Sequence, residues 1–345
     1  MKRILACLAI SLAVCPNLFA QPENDLVRAG IRLHDEGRFN EAIVKYDSAI
    51  QLNPDYYFGY YEKAFSLSSL GKLEESNSII KKMLKQFPDA SDNGMAYCSY
   101  GNNFDMLKQP KKALDVYDEG IKKFPGLALL HFNKGITLYN MGEGGKAYDE
   151  MCSSILLNPF HTTSHNVLRQ LVQKNQVYSV MGALFFLTLE SEGNRAQAAY
   201  ADLEKKLSMN VTRDEKTQSI NINLVMPSDG KKKEPNDFHM AEMIVGLGAA
   251  ANMDDKLKDE TKQSRLSRTL QTMISALADG KNETGFGWEF YAPFFVALKS
   301  SEHFETWIHM ITYPSGDPVN RAWVAANQTR MEDLEKWVAG YFEKK

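Results

Sequence analysis

The stretch AGIRLHDEGRFNEAIVKYDSAIQLNP, residues 29–54, contains the pattern that decides the fold. Small and apolar residues recur every three or four positions on both sides of Gly37, which indicates two amphipathic helices joined by a turn. Asn53-Pro54 ends the second helix, because proline cannot continue a helix and disfavours helical geometry in the residue before it. The arrangement returns three more times before His161.

Each of the four segments also carries a small residue at one position of each helix. On the first helices these residues are Gly30, Ala64, Gly101 and Gly135, and on the second helices they are Ala42, Ser76, Ala113 and Ala147. A minimal side chain lets the paired helices approach closely. One helix pair cannot bury its apolar faces alone, so a stack of neighbouring pairs is predicted.

The pattern resembles the tetratricopeptide repeat, a 34-residue helix–turn–helix unit. The resemblance covers residues 23–161 and implies a solenoid of four helix pairs. Two departures are visible. The large aromatic residue expected early in the first helix is replaced by Leu26 in repeat one and by His131 in repeat four. A three-residue insertion at Ala90 to Asn93 separates repeats two and three.

First-helix positions set the inner face of such arrays, and the resemblance implies that this face binds protein partners. Some family members hold the carboxylate tail of a chaperone with Lys, Arg and Asn at these positions, but here only Asn102 matches in type. The surface is apolar and aromatic instead, which favours a groove for a helix or extended segment of a partner, or coverage by the chain's own C-terminal helices. The candidate partner-binding residues are Phe58, Tyr61, Phe65, Asn102, Asp105, Phe132, Ile136 and Tyr139.

The second half of the chain is predicted to be mostly helical, so the fold class is all-α. Residues 162–208 suggest a degenerate fifth repeat and an extra helix. Within them Val177 to Leu189 is apolar on nearly all sides, which predicts a covered helix because the segment is short for a membrane span. Residues 237–345 form either a separate helical domain or further helix pairs that cap the array.

Residues 209–236 are rich in Asn, Asp, Lys, Ser and Pro and form a predicted linker or covering loop. Within them Ile220, Ile222, Leu224 and Met226 alternate with mostly polar residues, which predicts a short β element near residues 218–226. No convincing partner strand is visible in the sequence, so the stretch either pairs with a poorly patterned neighbour such as Met209 to Thr212 or forms a covering loop.

Residues 1–20 have the features of a secretory signal peptide. Lys2-Arg3 is a basic start, Ile4 to Val14 is a short apolar run, and Ala20 offers a small residue before the cleavage point. The protein is therefore expected to be exported, periplasmic or secreted, with no transmembrane span after removal of the signal. Lipoprotein processing at Cys15 is the alternative, although Val14 is bulky for it. Cys98 and Cys152 then remain, either as a disulfide or as small buried thiols.

No catalytic, metal or cofactor motif stands out. A formal charge of −3 gives no general attraction to nucleic acid. His161 and His165 lie four residues apart without a nearby acidic ligand, so structural roles are expected for both, and no Gly-x-Ser-x-Gly motif is present. The leading hypothesis is a non-catalytic exported scaffold for protein–protein interaction. The alternative is an enzyme or a protein that binds glycans or small ligands, with its site in the aromatic region around Trp288.

Overall fold

The computed structural model describes residues 22–214, 216–217, 219–223, 235–253, 257, 259–280 and 283–343. Seventeen α-helices and one two-stranded sheet lie within this part of the chain, so the predicted all-α class is confirmed. The predicted signal peptide at 1–20 lies outside the described residues. The described residues form two compact units, an N-terminal and a C-terminal one, that divide between Val116 and Tyr117.

The N-terminal unit consists of the predicted helix pairs. Its helices are α1 (Pro22–Asp35), α2 (Phe39–Leu52), α3 (Tyr57–Ser69), α4 (Leu73–Gln86) and α5 (Asn93–Met106), and α6 (Pro110–Lys123) begins within it. In the first pair, a small residue on the first helix accommodates a large one on the second. A Cβ atom on Gly30 would clash with the buried ring of Tyr46, for example.

Three of the four turns within the helix pairs use glycine in the left-handed region. Gly37, Gly71 and Gly142 have φ values of 75°, 74° and 80°. The third repeat has Lys108 at the corresponding position, with a φ of 60°. A residue with a Cβ atom is less stable there than glycine. The turn geometry is therefore kept in all four repeats even where the residue is unfavourable.

The C-terminal unit continues with helices and a small hairpin. Its helices are α7 (Ala128–Asn140), α8 (Gly144–Leu157), α9 (Thr162–Leu171), α10 (Gln176–Leu189), α11 (Gly193–Ser208), α12 (His239–Ala251), α13 (Lys262–Ala278), α14 (Ala292–Lys299), α15 (Phe304–Thr312), α16 (Pro318–Ala326) and α17 (Gln328–Glu343). A π-helical turn at Gly287–Tyr291 precedes α14, and a 3-10 turn at Tyr313–Ser315 follows α15.

The predicted β element pairs with the segment before it. Strand β1 (Val211–Arg213) runs antiparallel to β2 (Ile220–Ile222), with Val211 opposite Ile222. Of the two alternatives that the sequence left open, pairing with a neighbouring segment is therefore the one observed. The predicted continuation through Leu224 and Met226 lies outside the described residues.

One hydrophobic core joins α8 to α11 with the helices after residue 237. Helix α10 is buried on almost every side, which confirms the prediction of a covered helix. Its Phe185 contacts the rings of Phe294 and Phe342 at centroid distances of 4.9 and 5.7 Å. The C-terminal helices therefore share a core with the predicted fifth repeat.

Candidate functional site

Helix α3 of the N-terminal unit presents three of the predicted partner-binding residues. Phe58 and Phe65 are 44% and 45% exposed, which is high for aromatic side chains on a regular helix. Tyr61 is half-buried and stacks on Tyr57 at a centroid distance of 6.2 Å. Because residues three, four and seven apart share one side of a helix, the three rings form a continuous surface along α3.

His34 extends this surface onto α1. Its ring stacks on Phe65 at 4.9 Å and meets the edge of Phe39 at 4.9 Å, while Nδ1 lies 2.7 Å from the Ser66 hydroxyl. His34 was not among the residues predicted from the sequence, although it occupies in repeat one the position that Tyr139 occupies in repeat four. Extending the repeat count to the first repeat would have found it. We refer to His34, Phe58, Tyr61, Glu62 and Phe65 as the first-helix face.

Glu62 is the charged member of the first-helix face. It is half-buried, and among the described residues no side chain forms a hydrogen bond or ion pair with it. Burial raises the pKa of the Glu62 carboxyl, and the nearby charge of Asp35 raises it further. The hydroxyl of Tyr46 beneath the face is buried without a well-formed hydrogen bond, and burial together with the charge of Glu62 raises its pKa to about 12.

The third repeat adds polar and flexible apolar residues on α5. Asn102 is exposed and Asp105 is half-buried. Met95 and Met106 are 40% and 58% exposed on the same helix. Methionine side chains adapt to irregular contacts, which suits a surface that receives another chain.

The fourth repeat, in the C-terminal unit, differs. Phe132 and Ile136 are partly buried and pack against the large core of that unit. The Phe132 ring also meets the edge of the His161 ring at 4.6 Å. Tyr139 remains 43% exposed. Of the three predicted binding residues in this repeat, two therefore contribute to packing within the chain.

The histidines at the start of the fifth repeat have structural contacts. The buried Nε2–H of His165 donates to the Pro159 carbonyl at 2.8 Å, which leaves Nδ1 to accept from the Tyr291 hydroxyl at 2.7 Å. Burial lowers the pKa of His165 to about 3, so the ring is neutral. His161 Nδ1 lies 2.7 Å from the Ser164 hydroxyl. Within the described ranges no group of three or more His, Cys, Asp or Glu side chains is placed to hold a metal ion.

The aromatic residues of the C-terminal unit belong mainly to its core. Tyr291, Phe294, Phe295 and Trp307 are buried, so they are not available to stack on a sugar. Trp288 is half-buried, stacks on Phe238 at 4.4 Å and donates its indole N–H to the Asp237 carbonyl at 3.0 Å. Packing within the core of the C-terminal unit therefore accounts for the concentration of aromatic residues in this region.

A polar cleft of about 350 Å³ opens elsewhere on the C-terminal unit. It is lined by Gln197, Tyr200, Ala201, Glu204, Lys262, Gln263, Thr312, Pro314, Ser315, Asp317 and Asn320. The three charged residues that line it, Glu204, Lys262 and Asp317, are exposed to solvent.

Cys98 and Cys152 are free and buried, and burial raises the pKa of each thiol to about 12, which makes both poor nucleophiles.

Comparison with known proteins identifies repeat-containing relatives. No family model matches the chain. Over 104 residues, 30% of the chain, it is 28% identical to a TPR repeat-containing protein, MJ0940, of Methanocaldococcus jannaschii. The match spans 31% of that relative, so the chain covers about a third of its length.

Similar solved structures include MamA from residue 41 to its end, from Desulfovibrio magneticus RS-1. It is 20% identical with a TM-score of 0.41, over 50% of this chain and 96% of that chain. Another is the pilF structure of Pseudomonas aeruginosa, 15% identical with a TM-score of 0.46, over 69% of this chain and 91% of that chain. At these scores the likeness carries no functional argument. Among the helices that the structure describes, none has the length and apolar character needed to cross a membrane.

Proposed function

We propose that this chain, a tetratricopeptide repeat protein, is an exported and non-catalytic scaffold that binds a segment of a partner protein on its first-helix face. The observation that carries the proposal is the exposure of Phe58 and Phe65 on one side of α3. Large apolar side chains grouped on one surface favour contact with another chain, because their burial on binding removes apolar area from water.

The surroundings of these two rings support a docking surface over incidental exposure. His34 orders Phe65 by stacking, and Tyr56 and Tyr57 order Phe58 through edge-on contacts at 6.1 and 5.5 Å. A partner would therefore meet side chains that have already lost much of their rotamer freedom, which lowers the entropic cost of binding. The methionines of α5 extend the apolar character to the next repeat of the same unit.

Binding is tested by affinity capture from an envelope extract with a double variant, Phe58→Ser with Phe65→Ser. A matched control is Val44→Ser with Leu52→Ser, since these residues of α2 are 61% and 59% exposed but lie outside the first-helix face. We expect a partner that the wild type and the control enrich at least tenfold over the first-helix variant. Equal capture by all three chains would contradict the proposed surface.

Contact at this surface can be measured directly. A photocrosslinking amino acid at position 65 should form an adduct with the captured partner, and the same amino acid at position 44 should not. Adducts of equal yield at both positions would indicate non-specific association.

Export is a separate part of the proposal and rests on residues 1–20. N-terminal sequencing of the protein from fractionated cells tests it. Cleavage after Ala20 should leave Gln21 as the first residue, in an extracytoplasmic fraction. Recovery of an uncleaved chain from the cytoplasm would contradict export, and a lipid-modified Cys15 would replace it with membrane anchoring.

A further inference from the structure

The position of Glu62 gives the first-helix face a specific chemical character. Glu62 lies four residues after Phe58 and three before Phe65, so the carboxylate shares one side of α3 with both exposed rings. An apolar partner segment that covered the two rings would also cover Glu62. The carboxylate would then lose much of its remaining contact with water.

Within the described residues, no cation of the chain balances this carboxylate. Lys63, the next residue on α3, forms an ion pair with Asp47 of α2 at 2.6 Å. The charged neighbour that acts on Glu62 is Asp35, which has the same sign. A buried charge without a partner is strongly unfavourable. A docked segment without a positive charge would therefore bind at a substantial electrostatic cost.

We propose that the first-helix face receives a lysine or arginine side chain of the partner segment, with Glu62 as its counterion and Asp35 adding to the attraction. This inference rests on the proposed function and adds the chemistry of the occupant. The cation would form a charge-assisted hydrogen bond with Glu62. The rings of Phe58 and Phe65 flank that position, and aromatic rings favour a cation over their faces.

The positions of the exposed aromatic rings determine which residues should flank the basic residue in the partner segment. Phe58 and Phe65 lie on either side of Glu62 along α3, so apolar residues on both sides of the lysine or arginine would cover them. The expected ligand is therefore an apolar segment with one or more embedded basic side chains. An acidic segment would place like charges next to Glu62 and Asp35 and should be rejected.

The test uses the full chain and an immobilised peptide library. Each peptide has a central arginine, lysine, citrulline or glutamate flanked by varied apolar residues. Citrulline has nearly the shape of arginine but no charge, so the comparison isolates the electrostatic contribution. Dissociation constants of the best binders are then measured by fluorescence anisotropy of dye-labelled peptides at two salt concentrations.

We expect the library to enrich arginine and lysine, and replacement of arginine by citrulline to weaken binding at least tenfold. Glu62→Gln should weaken binding of the arginine peptide similarly and remove the difference between arginine and citrulline. Glu74→Gln on the exposed side of α4 is the matched control and should bind like the wild type. Higher salt should weaken the arginine peptide more than the citrulline peptide.

Folding does not confound the test. Glu62→Gln removes an unpaired charge, so its thermal midpoint should equal or exceed that of the wild type. Equal affinity for arginine and citrulline, or unchanged binding by Glu62→Gln, would overturn the proposal. A library with no binder would overturn it as well.

Failure of this inference can be distinguished from failure of the proposed docking surface. Phe65→Ser should lose binding of charged and uncharged peptides alike. If the wild type binds citrulline and arginine equally and Phe65→Ser binds neither, the docking surface stands and only the basic side chain is excluded. If Phe65→Ser retains binding, the surface itself is wrong.

Discussion

Repeats two and four have apolar residues at the same first-helix positions, but these residues have different surroundings. Phe65 of repeat two corresponds to Ile136 of repeat four. Phe65 is 45% exposed and stacks on His34, whereas Ile136 is partly buried against the core of the C-terminal unit. The same sequence signal therefore marks an open surface in one unit and internal packing in the other.

The difference shows that the repeat pattern does not determine the role of its inner-face residues. In the C-terminal unit the helices after residue 237 join the core formed by α8 to α11. Phe342 of α17 contacts Phe160 at 5.7 Å and stacks on Phe290 at 5.4 Å. The packing around a repeat thus decides whether its apolar first-helix positions remain available to a partner.

The largest predicted effect comes from removing a core ring of the C-terminal unit. Phe294 is buried and packs against Phe185, Trp337 and Phe342. Phe294→Ala should lower the free energy of unfolding by about 3–5 kcal/mol, because burial is lost and a cavity remains. Urea unfolding followed by tryptophan fluorescence measures this unit, since all four tryptophans lie in it.

Phe65→Ala is the matched control for the open surface. Its effect on unfolding should stay below about 1 kcal/mol, as is usual for exposed positions. Circular dichroism is the appropriate measurement, because the N-terminal unit contains no tryptophan. A loss as large as that of Phe294→Ala would show that Phe65 is a packing residue and would remove the basis of the proposed surface.

The local parts of this fold could be predicted from the sequence, and the long-range parts could not. The helix pairs follow from the spacing of small and apolar residues within each repeat, and the covered helix α10 follows from its uniformly apolar composition. Coverage of the later repeats depends on contacts such as His165 with Tyr291 and Trp307 with Thr188, which are 126 and 119 residues apart. No periodicity within one segment encodes such contacts.

Asn236 illustrates the same limit at a single residue. It lies in the predicted linker or covering loop, but it adopts a φ of 59° and connects three segments. Its Nδ2 donates to the Tyr148 hydroxyl at 3.1 Å, its Oδ1 accepts from the Gly287 amide at 2.6 Å, and its carbonyl accepts from Asn175 at 2.7 Å. Asparagine tolerates left-handed geometry, so its residue type was compatible with this role without indicating it.

The next prediction concerns acid sensitivity, which should be greater in the C-terminal unit. The folded pKa of His165 is about 3, below its value of about 6.5 in the unfolded chain. Below pH 6.5 the unfolded state binds a proton that the folded state does not, so stability falls as the pH falls. The loss should approach about 1.4 kcal/mol per pH unit between about pH 6 and pH 4.5.

His165→Gln is the variant that isolates this effect. Its stability at neutral pH should be lower because two buried hydrogen bonds change, but the slope of stability against pH should be shallower by nearly one proton. Urea unfolding with tryptophan fluorescence at four pH values between 6.5 and 4.5 gives both slopes. Equal slopes for the wild type and His165→Gln would show that another group controls the acid response.

The last prediction is a gain of stability in the N-terminal unit. Lys108 occupies the turn position where repeats one, two and four have glycine, and its φ is 60°. Lys108→Gly should raise the stability of this unit by about 1 kcal/mol, since glycine adopts left-handed geometry without the steric cost of a Cβ atom. The reciprocal change, Gly71→Lys, should lower stability by a similar amount at a position where a Cβ atom meets no other atoms.

The Lys108→Gly variant also tests whether the two units unfold independently. Lys108→Gly should shift the unfolding transition seen by circular dichroism and leave the tryptophan transition of the C-terminal unit unchanged. A shift of both transitions by the same amount would show that the two units unfold together. The open surface of repeat two would then share the stability of the core that packs against repeat four, which would limit how far the first-helix face can adjust to a partner.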